Sequence, residues 1–599
     1  MKKSIKLVFA CLSLVFFLTF TACKKESNSK VEYATGLKFD KKRYDKVPKK
    51  AQLLKRSYEN LPSRVVLTDF TPPVADQGRF GTCVAWASTY AGMTTAEAAS
   101  ARIVNKKEIE EMAFSPYYLY RSCNPHQIKA ADVKGMFPED ALDWLKNYGV
   151  PRRNRNEYYV SYETFDIKEY AKADLFKIEN YSSLGSSTDF SYYQTDNNDA
   201  QRVIRNIKKS ISEKKPVLGA FLVSKDFVNQ LWKEDYIPKN LDEDLENLEN
   251  LSGHAMLIVG YDDKRYYDSD NDEYSGAFLL QNSWGSDWGN DGCIWVNYEL
   301  AYCFLMGAYE ISNKIIKIPY KENVIDIEEE EEKEEYNDNT DWWDDYDDNW
   351  WWSYDDDDWW WNSNDDSEND WWSWDDKKND KKDPKKIPVI PEPDVKPEPK
   401  PAPKPEPKPA PEPEKKYCIF EGEFTLPIYN DDTEIQVQLK DKFYETKQSY
   451  DSFTRFQLYM TNKKPCYVYA FAADDSLEKP NKLFPPDGVN ALLDYHENTV
   501  VYPSEDTCMR LDSREGTDYL VVLYSLNELK LEDIMTAYQK EIKKNPKDVY
   551  GALVNACGQN KIVAAENQTF GKNQISFNAQ VPVSSKASIM PILIKIKHE

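Results

Sequence analysis

One stretch decides the fold of this chain: Gln77-Gly78-Arg79-Phe80-Gly81-Thr82-Cys83-Val84-Ala85-Trp86-Ala87-Ser88. It begins with turn formers, and from Cys83 it continues as small, helix-compatible residues through Ala98. This places Cys83 at or near a helix N-terminus, where the helix dipole favours the thiolate and lowers the thiol pKa. A lone helical cysteine is more often structural, so a nucleophile also needs a base and an oxyanion donor.

The base can be sought among only four histidines. His126 lies in a predicted surface loop, and His496 and His598 belong to the distant C-terminal part of the chain. His254 instead opens the β-branched apolar run 252–261, which predicts the start of a buried strand. The next predicted strand ends at Asn282, and a hairpin across the acidic turn 262–275 would bring Asn282 beside His254.

Three motifs occur in a meaningful order: Gln-Gly-x-x-Gly-x-Cys at 77–83, His-Ala-x-x-x-x-Gly-Tyr at 254–261 and Asn-Ser-Trp-Gly-x-x-Trp-Gly at 282–289. In order and local context they resemble the papain family of cysteine peptidases, over about 69–312. The resemblance implies an α+β fold with a helical lobe and a β-barrel-like lobe. It also implies protein or peptide substrates, with no metal or other cofactor.

The resemblance carries a role for each of five residues. Cys83 would attack the scissile carbonyl as a thiolate, and the imidazolium of His254 would protonate the leaving amine. The side-chain oxygen of Asn282 would orient the imidazole ring. The side-chain amide of Gln77, with the Cys83 backbone N–H, would donate to the oxyanion. Trp284 would cover the hydrogen bond between Asn282 and His254.

The chain departs from the family pattern in three ways. Phe80 stands where the family usually has a cysteine. Cys83 and His254 are 171 positions apart, against about 130–150 in the family, so insertions are expected, most of all in 155–200. Residues 23–68 are too few for the family's usual inhibitory prodomain, so the restraint on activity stays open.

Two other functions remain open at this stage. One is a non-catalytic surface binding or adhesion protein that uses the peptidase fold as a scaffold. The intact set Gln77, Cys83, His254 and Asn282 argues against it. The other is acyl transfer, as in a transpeptidase, where an amine replaces water, and the sequence does not separate it from hydrolysis.

The net charge of −25 belongs to one segment. Residues 321–376 hold 25 acids and 2 bases, and the rest of the chain has 77 acids and 75 bases. This near-neutral remainder argues against a nucleic-acid partner, which would require a basic face. The same segment contains 11 of the 17 tryptophans. Its charge opposes collapse into a core, so we expect disorder, with a surface or glycan partner as the functional alternative.

The N-terminus predicts export. A short basic start and the apolar run 7–20 are typical of a signal peptide. Phe20-Thr21-Ala22-Cys23 resembles a bacterial lipoprotein cleavage site, which implies acylation of Cys23 and anchoring to a membrane on its periplasmic or cell-surface face. An ordinary signal peptide with an incidental cysteine is the alternative.

Composition divides the chain into five parts. We expect a signal peptide at 1–22, a lipidated tether at 23–44, a peptidase domain at 45–319, a linker at 320–416 and a β-rich domain at 417–599. Thirteen prolines between Pro384 and Pro413 favour an extended spacer that holds the two domains apart.

The C-terminal part shows alternating patterns without a chemical motif. Strands are predicted at 456–461, 467–472 and 518–525, and helices at 531–544 and 548–556. It resembles an uncharacterised module found beside bacterial papain-like peptidases, which implies association and no mechanism.

Cysteines and acidic loops complete the sequence features. Eight cysteines remain after the signal and Cys23, and export would permit disulfides whose pairing the sequence does not define. Residues 268–272 imitate the start of a calcium loop. Glu273 and Leu279 break that pattern, so no metal site is predicted.

Overall fold

The computed structural model describes most of the chain outside the acidic and proline-rich segment. The described residues are 33–125, 134–154, 173–186, 198–268, 273–312, 316–318, 417–476, 478–495 and 498–599. The predicted calcium-loop residues 269–272 and most of the predicted insertion 155–200 therefore lie outside the described residues. His126 and His496 also lie outside them.

The N-terminal half of the described chain surrounds a sheet with helices. The helices are Lys41–Tyr44, Arg56–Glu59, Cys83–Ala85, Trp86–Met93, Thr94–Ala101, Lys106–Glu111, Pro116–Cys123, Pro138–Asn147, Asn198–Ser212, Lys225–Val228, Leu241–Glu246 and Tyr298–Cys303. The sheet runs in the order Tyr181–Gly185, Leu305–Ile311, Val217–Val223, Ser252–Asp262, Ala277–Gln281 and Cys293–Asn297, with Arg64–Val66 also paired to Ser252–Asp262. A separate pair joins Leu175–Lys177 to Ile316–Ile318.

Both faces of this sheet are covered. Val217 and Phe221 belong to a buried apolar cluster that includes Ile207 of the helix Asn198–Ser212. Leu218 and Ala220 of the same strand belong to a second cluster, which includes Cys83 and its helix. Successive side chains of a strand point to opposite faces, so helices pack on both sides of the sheet. The predicted α+β class is confirmed.

The predicted hairpin is also present. The strands Ser252–Asp262 and Ala277–Gln281 pair antiparallel, with Leu257 opposite Gln281. Asn282 follows directly after the second strand, so the register brings it to the end of the sheet where His254 lies. Both strands are almost continuously buried, so this register places their side chains on both covered faces of the sheet.

The described residues of the C-terminal region contain two large sheets, a short strand pair of Arg455–Phe456 with Met509–Arg510, and two α-helices. One sheet has the order Thr499–Tyr502, Leu458–Asn462, Tyr417–Thr425, Ile575–Pro582 and Gln568–Phe570. The other has the order Val437–Lys440, Phe443–Thr446, Ile589–His598, Gly516–Ser525, Cys466–Asp474 and Asn481–Phe484, with Leu492–Leu493 paired to Cys466–Asp474. The helices Leu531–Lys544 and Val549–Cys557 lie where the sequence predicts them, because their apolar residues follow a helical period.

Two expectations about organisation need correction. The described residues before 329 and those from Tyr417 onward belong to one compact unit, so the two globular regions are not held apart. The predicted tether 23–44 is also not free where it is described: from Tyr33 onward it lies against the peptidase sheet and helices, and Tyr44 is buried. The second correction has a simple cause, since polar, lysine-rich sequence can pack through its backbone and a few apolar anchors.

No disulfide forms among the eight cysteines of the described residues, which are Cys83, Cys123, Cys293, Cys303, Cys418, Cys466, Cys508 and Cys557. No group of side chains in this part of the chain could hold a metal ion. None of its helices is long and apolar enough to cross a membrane.

Candidate active site

Cys83 begins a long helix at the centre of the peptidase region. Cys83–Ala85 is α-helical, the chain continues as wider π turns over Trp86–Met93, and Thr94–Ala101 returns to α-helix. The small side chains that predict this helix allow it to pack closely against the sheet, and Cys83 is fully buried. π turns inside helices occur frequently at functional sites.

His254, Asn282 and Trp284 form the arrangement that the motifs predict. The His254 Nε2 and Asn282 Oδ1 atoms are 2.7 Å apart, and both side chains are buried. The indole of Trp284 stacks on the imidazole, with ring centroids 4.2 Å apart and planes inclined by 23°. This bond leaves the buried Nδ1 of His254 without a hydrogen-bond partner among the described residues, so Nδ1 is the ring atom available to a reacting thiol.

Gln77 is held in place by the loop after Asn282. Its Oε1 accepts a 2.6 Å hydrogen bond from the Ser283 hydroxyl, and its backbone N–H donates to the Ser283 carbonyl at 2.8 Å. Its Nε2 donates to the Phe80 carbonyl at 2.8 Å and to the Ala34 carbonyl at 3.0 Å. The side-chain amide therefore presents a fixed N–H to a carbonyl oxygen, as an oxyanion donor must.

That carbonyl belongs to an N-terminal segment, which we call the strap and define as residues 33–40. The Ala34 carbonyl also accepts a 3.1 Å hydrogen bond from Trp284 Nε1, and the ring of Tyr33 stacks on Trp284 at 5.0 Å. Further along, the Leu37 N–H donates to the Gly253 carbonyl, at 3.2 Å. The strap thus contacts Gln77 and Trp284 directly, and its backbone lies against Cys83.

The strap is seated by close contact between glycines. A side-chain carbon on Gly36 would lie 2.0 Å from the Gly81 carbonyl oxygen, and one on Gly135 would lie 2.1 Å from the Gly36 carbonyl oxygen. The Met136 N–H donates to the Gly36 carbonyl and the Lys38 N–H donates to the Met136 carbonyl, both at 3.0 Å. Backbone therefore packs on backbone here, and only glycine at position 36 allows it.

Burial under the strap determines the protonation of the reacting pair. Removal from water raises the pKa of the Cys83 thiol to about 11. Backbone hydrogen bonds, including those with Ala255 and Gly36, lower this pKa, but their effect is smaller than that of burial. The same burial lowers the pKa of His254 to about 4, against a smaller opposite effect of Asn282. The covered pair is therefore a neutral thiol and a neutral imidazole, and the low thiol pKa expected from the helix dipole is not found in this state.

The sequence motifs predicted the residues of the site but not the strap that covers them. The motifs contain Gln77, Cys83, His254, Asn282 and Trp284, and the structure brings these five residues together. The strap has no apolar period and binds mostly through its backbone. The available signal was local: Gly36 within Tyr33-Ala34-Thr35-Gly36-Leu37 allows a close backbone approach.

Comparison with known proteins agrees with this geometry. Residues 23–313 match the family model described as papain family cysteine protease. This part of the chain therefore belongs to the papain family of cysteine proteases.

Individual relatives are distant. The chain is similar to an uncharacterized peptidase C1-like protein of Acanthamoeba polyphaga mimivirus, at 25% identity over 37% of this chain and 64% of the relative. It is also similar to the cathepsin B-like CP2 of Giardia intestinalis, at 26% identity over 37% of this chain and 62% of that protein. The match thus spans under two thirds of either relative.

Two solved structures each align with just under half of this chain. Xylellain, a cysteine protease from Xylella fastidiosa, is 20% identical over 49% of this chain and 99% of that one, with a TM-score of 0.31. The proCathepsin B S9 of Trypanosoma congolense is 14% identical over 46% of this chain and 86% of that one, with a TM-score of 0.33.

Proposed function

We propose that this protein is a thiol endopeptidase that hydrolyses peptide bonds through Cys83 and His254. The observation that carries the proposal is the 2.7 Å contact between His254 and Asn282, set beside a Gln77 amide that already binds a peptide carbonyl over Cys83. A scaffold without activity would have no reason to keep this set of positions aligned.

The mechanism follows from these positions. His254 Nδ1 takes the proton of the Cys83 thiol, and the thiolate sulfur forms a bond to the scissile carbonyl carbon. The carbonyl oxygen becomes an oxyanion that accepts from Gln77 Nε2 and from the Cys83 backbone N–H. The imidazolium then protonates the leaving amine as the C–N bond breaks. Water, deprotonated by His254, attacks the thioester and releases the acid and the thiol.

The strap must leave before a substrate can bind. Its Ala34 carbonyl occupies the Gln77 donor, and its backbone covers Cys83. Departure of the strap would admit water and reverse the burial that keeps the thiol and imidazole neutral. We therefore regard the strap-covered form as latent, with the strap as the restraint on activity.

Hydrolysis by the full-length chain tests the proposal. Peptide cleavage should be lost in Cys83→Ala and in His254→Ala, with unchanged thermal unfolding. Cys303→Ala offers a matched control that should retain activity, because Cys303 is also a buried cysteine outside any disulfide. Cleavage that survives in Cys83→Ala would contradict the proposal.

The proposal includes attachment to a bacterial membrane through Cys23, supported by the sequence Phe20-Thr21-Ala22-Cys23. Diacyl or triacyl modification would give stable anchoring. A chain carrying Cys23→Ala should move from the membrane fraction to the soluble exported fraction. If it stays with the membrane, the anchor is elsewhere.

A further inference from the structure

The residues that follow the strap in sequence pair with the edge of a sheet in the C-terminal region. The strand Thr499–Tyr502 is the edge strand of its five-stranded sheet. There the Leu54 N–H donates to the Thr499 carbonyl and the Val501 N–H donates to the Gln52 carbonyl, both at 3.1 Å, with Leu53 opposite Val500. The segment adds to the sheet as an extra strand, a recurring mode of peptide recognition.

Side chains reinforce this added strand. Leu53 is fully buried and belongs to the apolar cluster of the C-terminal region, together with Ala51. The Tyr495 hydroxyl donates to the Ala51 carbonyl at 2.8 Å. Lys49 pairs through its backbone, donating to Gly488 at 2.7 Å and accepting from Asn490 at 2.8 Å. We call residues 49–55 the clamp segment.

Buried charges connect the clamp segment to both globular regions. The ammonium of Lys50 contacts Glu310 of the peptidase sheet, and it lies 3.2 Å from Asp494 of the C-terminal region. Lys215 lies 2.9 Å from Asp494 and 3.5 Å from Glu310. Because an unpaired buried charge is strongly unfavourable, Asp494 of the C-terminal region depends on Lys50 and Lys215, both supplied by the N-terminal half of the chain.

The short stretch between strap and clamp segment is itself fixed. The Tyr44 hydroxyl donates to the Gly185 carbonyl at 2.6 Å. The Ser183 N–H and hydroxyl donate to the carbonyls of Pro48, at 2.9 Å, and of Val47, at 3.2 Å. Because this stretch is short and fixed, a displacement of the clamp segment would be transmitted to the strap.

We propose that the C-terminal region is the docking partner of the clamp segment, and that this docking controls how readily the strap leaves Cys83. The proposal rests on the proposed function, since it assigns to the strap the role of covering a reactive thiol. It gives the C-terminal region a task that its sequence does not reveal: holding the N-terminal segment of the same chain in place.

Alkylation of Cys83 by iodoacetamide in the full-length chain tests the clamp, with the modified peptide quantified by mass spectrometry. Leu53→Ser weakens the clamp segment, and Gly36→Ala disturbs the strap directly. Leu426→Ser is the matched control, because Leu426 is buried in the same apolar cluster but lies outside residues 49–55. If the serine variants do not fold, Leu53→Ala and Leu426→Ala are used in their place.

We expect Leu53→Ser to accelerate alkylation about tenfold or more, because it removes a fully buried leucine side chain from the contact between the clamp segment and the C-terminal region. Leu426→Ser, at similar loss of thermal stability, should alkylate at the wild-type rate. The proposal is overturned if Gly36→Ala accelerates alkylation and Leu53→Ser does not, or if both leucine variants accelerate it equally. If Cys83 of Gly36→Ala is alkylated rapidly but the variant does not hydrolyse peptides, the proposed function is contradicted. The alkylation rates of the leucine variants would still show whether the clamp segment controls the strap.

Discussion

Single residues at the site are positioned by their neighbours more than by their own preferences. Asn282 holds the imidazole of His254, and Ser283 holds the side-chain amide of Gln77. One loop after one strand therefore orients both the base and the oxyanion donor. Because this one loop orients two functional side chains, the Asn-Ser-Trp-Gly motif is a specific sequence signal.

Gln77 should affect hydrolysis without affecting the thiol. We expect Gln77→Ala to lower kcat about 10²–10³-fold, because the oxyanion loses one fixed donor. Alkylation of Cys83 by iodoacetamide passes through no oxyanion, so its rate should not fall. A parallel fall in hydrolysis and alkylation would instead indicate that Gln77 maintains the structure.

Among the elements, the strap depends on the absence of a side chain at position 36. An added carbon in Gly36→Ala would meet the Gly81 carbonyl oxygen at 2.0 Å. Overpacking costs about 1–3 kcal/mol, which corresponds to roughly 5–150-fold in an equilibrium between covered and open forms. We therefore expect Gly36→Ala to hydrolyse peptides faster than wild type.

Lys38→Ala is the matched control for the strap, because it keeps the backbone hydrogen bond from Lys38 to Met136. Its rate should stay close to that of wild type. Slower hydrolysis in Gly36→Ala, with an unchanged fold, would mean that the strap supports the site and does not cover it.

The elements that sequence could predict are those with a strong apolar pattern. The two strands of the hairpin from His254 to Asn282 are nearly unbroken buried apolar runs, and the helix Leu531–Lys544 buries one regular face. The strap and the clamp segment bind through backbone groups, which every residue carries, so their side chains hold little information. Docking of the C-terminal region also escaped prediction, because it depends on a few buried charges far apart in sequence.

At the scale of the whole molecule, a buried ion cluster joins the globular regions. Burial acts to lower the pKa of Lys215, but the charges of Asp494, Glu310 and Glu213 raise this pKa well above its ordinary value. Burial acts to raise the pKa of Asp494, but Lys215 and Lys50 hold it well below its ordinary value. Both groups are therefore charged in the folded protein across neutral pH.

Removing the central cation should destabilise the molecule. We expect Lys215→Met to lower the free energy of unfolding by about 3–5 kcal/mol, since it leaves the buried carboxylates of Asp494 and Glu310 to share the single ammonium of Lys50. Lys463→Met is the control, because Lys463 makes a partly exposed ion pair with Glu421, and such pairs contribute at most about 1 kcal/mol. Urea unfolding of the three proteins measures both values, and equal losses would refute the importance of the cluster.

The cluster also sets a pH dependence. The depressed pKa of Asp494 means that its stabilisation is present above the unfolded value of about 3.9 and is lost as pH falls further. The raised pKa of Lys215 means that its stabilisation is present below about 10.4 and is lost as pH rises through the folded value. Unfolding free energy should therefore fall on the acid side more steeply in wild type than in Lys215→Met. Identical acid profiles would contradict this assignment.

The central claim is that Cys83 forms a covalent acyl intermediate during peptide hydrolysis. The most direct measurement incubates full-length Gly36→Ala with a peptide ester, quenches it in acid and weighs the peptide that contains Cys83. The account predicts the mass of the acyl group on Cys83, and neither adduct nor hydrolysis in Gly36→Ala/Cys83→Ala. Hydrolysis that continues in the double variant, or proceeds without an adduct on Cys83, would contradict it.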